Sequence, residues 1–97
     1  MVIKYSKLFI VTGAITCEPV TIIVEYGETD GFQSVSIESL EGEYASTKEF
    51  EKASNRIIEK TEIGEEKIYN FLPLMLPDAH KLMDTLNEAI AASEKAA

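Results

Sequence analysis

The chain has a single cysteine, Cys17, no tryptophan, few basic residues and no apolar run near the length of a membrane span. One cysteine excludes an intramolecular disulfide and any multi-cysteine zinc site, so the fold must be held by its core. It also suits a reducing compartment, and a cytoplasmic location is expected. The apolar run Leu8 to Val11 is too short for the hydrophobic region of a signal peptide. The stretch Ile68 to Pro77, interrupted by Asn70 and Pro73, falls well short of the ~20 residues that cross a bilayer. No G-x-x-x-x-G-K-[ST], G-x-G-x-x-G or G-x-S-x-G motif occurs, so the usual phosphate-binding and acyl-transfer signatures are missing. Nine Lys+Arg against seventeen Asp+Glu give a net charge of −8. That field repels nucleic acid phosphates and anionic lipid, and favours basic partners.

What is present is enough for one domain, residues 1–97, with 92–97 expected to fray. Hydrophobic residues make up 45% of the chain, enough for a mainly aliphatic core. Lys7 to Ile15, with Leu8, Phe9, Ile10 and Val11, reads as a first strand that Gly13 bends. Val20 to Tyr26 alternates Val20, Ile22, Val24 and Tyr26 against Thr21, Ile23 and Glu25, the period of a strand with one more polar face. Gly27 to Gly31 reads as a five-residue hairpin loop. Phe32 to Leu40, with Val35 and Ile37 on one face and Ser34, Ser36 and Glu38 on the other, is the third strand.

Ser46 and Glu49 have the spacing of a capping box and predict a helix running to about Lys60. Its apolar stripe is Phe50, Ala53, Ile57 and Ile58. Ile68 to Leu76 reads as a fourth strand, which Pro73 confines to a sheet edge or a bulge. Pro77 suits the first turn of a second helix, whose apolar face is Ala79, Leu82, Met83, Leu86, Ala89 and Ile90. The order β-β-β-α-β-α predicts an α+β fold: a two-layer sandwich with a mainly antiparallel four-stranded sheet covered by two helices. A crossover through the first helix leaves a parallel pairing of the fourth strand open.

Charge is the most uneven feature. Residues 27–66 carry eleven acidic and four basic side chains, while the flanks are near neutral. Glu38, Glu41, Glu43, Glu62, Glu65 and Glu66 gather at the two ends of the first helix, where they form an acidic edge or simply a solubilising surface. A second surface is apolar: Phe71, Leu74, Met75, Leu82, Met83, Leu86 and Ile90 are more than one small sheet is expected to cover.

His80 and Asp84 lie four apart on the second helix, the spacing of an imidazole–carboxylate pair and equally of an ordinary solvated face. Cys17 has no Lys, Arg or His nearby to activate it and reads as a small, partly buried hydrophobe. No catalytic residue, cofactor or metal ligand is assigned. The expected function is a small acidic non-catalytic protein-interaction module, self-associating as a homodimer, with a protein partner of basic character and no membrane. Three alternatives stand beside it: an acidic mimic of nucleic acid that occupies a basic cleft, a single-strand-binding sheet using Tyr26, Tyr44 or Tyr69, and a small enzyme using His80 or Cys17.

Overall fold

A computed structural model of the chain describes residues 1–59 and 69–96. Its elements are β1 (Val2–Thr12), β2 (Pro19–Thr29), β3 (Phe32–Glu41), α1 (Thr47–Glu59), β4 (Tyr69–Met75) and α2 (Leu76–Ala96). The α+β class and the element order are those the sequence predicts. The strands lie in the order β1-β2-β3-β4, and every neighbouring pair is antiparallel, so β4 does not form the parallel pairing left open above.

Three boundaries differ from expectation for local reasons. The first strand begins at Val2 and ends at Thr12, because Tyr5 and, across a bulge at Lys4, Ile3 and Val2 continue the pairing with β2. The hairpin loop is shorter than five residues: Gly27, Glu28 and Thr29 pair with Ser34, Gln33 and Phe32. The reversal is left to Asp30 and Gly31, both in the left-handed region at φ 49° and 82°. Asp-Gly is the dipeptide that tolerates two positive φ values, and such a turn matches the twist of the strands it joins. Cys17 also sits at positive φ, 58°, at the tip between β1 and β2. It is exposed, which corrects the expectation of partial burial: a turn tip has no second layer to cover it.

Residues opposite one another in an antiparallel ladder share a face, so the register sorts the sheet into two surfaces. On one, Ile23, Leu40 and Thr21 are buried under α1, whose Phe50 is buried against them, with Leu8, Tyr44, Ala53 and Tyr69 packed around. Ser46 caps α1, accepting from the Glu49 amide at 3.2 Å, and the Glu49 carboxylate reaches back to the Ala45 amide at 3.0 Å. That is the expected capping box, with its return bond one residue earlier than the cap. Ile57 and Ile58 lie outside the residues whose side chains are described.

The second helix takes the other face. α2 packs on β3 and β4, where Val35, Ile37 and Leu74 point away from α1. The sheet is therefore the middle layer between two helices, where the sequence pattern suggests one covered face. The cause is legible in β2: Ile23 serves one face while Val20, Ile22 and Val24 serve the other, so both surfaces demand cover. Pro73 lies in β4 at the sheet edge, the position at which a missing N–H is tolerated.

Candidate functional site

A concavity lies between α2 and its face of the sheet. Its floor is Val35, Ile37 and Leu74, its wall Ala79, Leu82, Met83, Leu86 and Ile90 with Asn87 at the rim, and its volume is about 310 Å³. The helix does not close it: Met83, Leu86 and Ile90 remain 52%, 53% and 55% exposed. Beyond β3 the same face continues as the rows Phe9–Ile22–Ser39, Lys7–Val24–Ile37 and Tyr5–Tyr26–Val35. Phe9 and Tyr5 are exposed and Ile22 and Val24 half-buried, and Lys7 is the only charged side chain in these three rows. Helix flank and sheet half together form one wide apolar trough.

The expected apolar surface divides accordingly. Leu74, Leu82, Met83, Leu86 and Ile90 meet at the trough. Phe71 and Met75 do not: they pair with Glu38 and Ser34 and so belong to the face that carries α1. Strand alternation makes this separation unavoidable, because Leu74 sits between them. Phe9, Ile22 and Val24 were visible in the sequence as strand residues, but their place in the trough depends on α2 lying over β3 and β4.

The acidic residues are placed differently. Glu62, Glu65 and Glu66 fall outside the described residues. Glu38 is on the α1 face, where the Tyr69 hydroxyl donates to it at 3.2 Å. Glu41 ends β3, its carbonyl accepting from the Tyr44 hydroxyl at 3.1 Å, and Glu43 is exposed in the turn that follows. Glu25 joins Glu38 on the α1 face, diagonal to it across β2 and β3. Partial burial, with Glu38 and then Glu51 as like charges, raises the Glu25 carboxyl above its usual value. The same surroundings push the Tyr69 hydroxyl up to about 12, burial first and the Glu38 charge second. At the far end of the sheet Lys4 and Glu28 pair at 3.1 Å. Lys4, followed by the Gln33 amide, holds Glu28 below the ordinary range.

No protein-family model, curated protein or solved structure matches this chain. Its chemistry is therefore read from these residues alone. His80 and Asp84 are both exposed on α2, and among the described residues His80 makes no hydrogen bond or ion pair. Cys17 is at the opposite end of the β1–β2 hairpin from the Lys4–Glu28 pair, with no acid or base ordered against it among the described residues. No group of three or more His, Cys, Asp or Glu among the described residues is placed to hold a metal ion. No helix among them is long and apolar enough to cross a membrane. Of the tyrosines considered as base-stacking groups, Tyr44 and Tyr69 pack against Phe50 on the α1 face at 6.0 and 6.5 Å, while Tyr26 lies on the opposite face and donates to Glu28. They do not share a platform.

The raised Glu25 carboxyl gives a signed expectation. A carboxyl whose folded value lies above its unfolded one stabilises the fold below the ordinary range, and that stabilisation is lost as pH rises through the folded value. Glu25→Gln removes both the repulsion and the penalty of burying a charge. The variant should be more stable than wild type near neutral pH by about 0.2–1 kcal/mol, the scale of a cross-strand charge contact. Thermal unfolding at a series of pH values should show this advantage shrinking as the solution is acidified through the carboxylate range.

Proposed function

We propose that this chain is a non-catalytic protein-interaction module that self-associates through exposed apolar surface. One observation carries the reading. Among the described residues only Ile23, Leu40 and Phe50 are buried hydrophobics, while Met83, Leu86 and Ile90 on α2 and Tyr5, Phe9 and Val11 on β1 remain exposed. Monomeric domains rarely leave a continuous apolar patch of this kind, and those that do use it for contact. Met83 in the wall is the flexible side chain suited to such a contact.

The acidic residues Glu25, Glu38 and Glu51 lie toward α1, on the opposite side from the trough. Self-association through the trough would leave that side for a second protein partner of basic character. The free, exposed Cys17 is compatible with a reducing, cytoplasmic setting.

The mass in solution at micromolar concentration tests the reading. Sedimentation equilibrium should give twice the chain mass, and the unfolding temperature should rise with protein concentration, as linkage between folding and association requires. A monomer at all concentrations, with a concentration-independent unfolding temperature, would overturn it.

A further inference from the structure

Two quantities specify the occupant of the trough more closely. The accessible surface of the chain is 7563 Å². A folded monomer of 10.8 kDa is expected to expose about 5,500 Å², so this chain exposes about 2,000 Å² more. Residues 60–68 and Ala97, about 1.1 kDa, would expose about 1,600 Å² as unfolded chain against about 600 Å² as their share of a folded domain, so they account for no more than about 1,000 Å² of that difference. The radius of gyration, 15.4 Å, likewise exceeds the value of about 12.5 Å for a closed domain of this length. An excess of about 1,000–2,000 Å² per chain, doubled for two partners, falls within the ~2,000–5,000 Å² buried by obligate dimers.

Charge decides between a second copy and a different partner. Two chains of net charge −8 repel unless they meet through a surface that carries little of that charge. The trough is such a surface: Lys7 is the one charge in the Phe9, Lys7 and Tyr5 rows, Glu41 and Glu28 come in only at the two ends of that sheet face, and the helix wall contributes Ala79, Leu82, Met83, Leu86, Asn87 and Ile90. The carboxylates of Glu25, Glu38 and Glu51 would point outward on both chains. A two-fold axis also matches what is open, since a helix flank and a sheet half belonging to one patch can each be covered by the same patch of the other copy.

We infer that the trough is the isologous interface of a two-fold dimer: the open flank of α2 (Met83, Leu86, Ile90) and the β1–β2 half of its sheet face (Phe9, Ile22, Val24) close against the same surface of a second copy. This rests on the self-association proposed above and adds which surface performs it. The competing routes are edge-to-edge pairing of β1, which is an outer strand, and contact through the α1 face, where Ile10 and Phe71 are exposed.

The test compares sedimentation of wild type, Leu86→Glu, Met83→Glu, Phe9→Glu and Ile10→Glu. Ile10 adjoins Phe9 in β1 but faces α1's side, so it controls for charge on the same strand. The three trough variants should dissociate at least 100-fold more readily than wild type and sediment as folded monomers, with Ile10→Glu still dimeric. Dimers that survive all three trough variants would overturn this inference while leaving self-association standing. Loss of the dimer in Ile10→Glu alone would overturn it in favour of the α1 face. A wild-type monomer would remove both readings. Should a charged variant fail to fold, Leu86→Ala decides: its dimer should dissociate about tenfold more readily with the circular dichroism of the wild type, and an unchanged dimer counts against the interface.

Discussion

Phe50→Ala is expected to lower the free energy of unfolding by about 3–5 kcal/mol, the range for truncating a fully buried aromatic side chain. Phe50 is one of three buried hydrophobics among the described residues and the only one that α1 contributes. Its ring meets Tyr44 edge-on at 6.0 Å and 84° and lies tilted against Tyr69 at 6.5 Å, with Ile23 and Leu40 below. Each aromatic pair adds about 0.5–1.5 kcal/mol beyond the area it buries. A core so small has no redundancy, and the loss is a large fraction of the ~5–15 kcal/mol that holds a typical domain together. Phe50→Leu, which keeps most of the volume, should cost about 1.5 kcal/mol or less in comparison. Denaturant unfolding at one fixed protein concentration checks both, the fixed concentration keeping any association constant between variants. A loss below ~1 kcal/mol for Phe50→Ala would mean that α1 is held to the sheet by something other than this ring.

The parts of the fold that could be read from the residues are those where a local rule had no competitor. Ser46 and Glu49 marked the start of α1 because few arrangements other than a cap use that spacing. Pro73 marked β4 as an edge because an interior strand cannot spare its N–H. The alternation of Val20 to Tyr26 gave β2 directly. Where two rules competed, the sequence misled. Gly27 has the composition of a loop, yet the positive φ values fall on Asp30 and Gly31, so the strand runs through Gly27 to the dipeptide able to turn.

The candidate site was half legible for a similar reason. The α2 stripe is periodic and could be listed residue by residue, but nothing in that period states which sheet face it meets. Both faces of β2 carry apolar residues, Ile23 on one and Val20, Ile22 and Val24 on the other, so the choice is made by packing between elements distant in sequence. The division of Leu74 from Phe71 and Met75, and the addition of Phe9, Ile22 and Val24, follow from that choice and from the register of β4 on β3. The acidic edge was a composition signal. It located charge along the chain without placing it in space, and Glu25, counted in the near-neutral N-terminal part, is brought by the register beside Glu38.

Thr21→Val should cost about 1–3 kcal/mol, because the hydroxyl makes two hydrogen bonds, each worth about 0.5–1.5 kcal/mol net. Thr21 is fully buried in β2, yet its side chain works on the segment that joins β3 to α1. Its Oγ1 donates to the Gly42 carbonyl at 2.8 Å and accepts from the Tyr44 amide at 3.1 Å, closing the turn from both sides. The turn needs that hold. Gly42 sits at φ 111°, a conformation that essentially only glycine adopts, and its amide is spent on the Pro19 carbonyl at 2.9 Å. Valine matches threonine in shape, so no cavity forms and the whole effect reads the hydrogen bonds. Thr21→Ser separates the two contributions: it keeps the hydroxyl, loses one methyl, and should cost about 1 kcal/mol. Because Tyr44 is carried by this turn to its edge contact with Phe50, Thr21→Val and Phe50→Ala act on a shared structure. The double variant should therefore lose less than the two single losses added together, a coupling of about 0.5–3 kcal/mol. Simple additivity in that cycle would show that the turn and the α1 anchor are independent, and that Thr21 serves the strand alone.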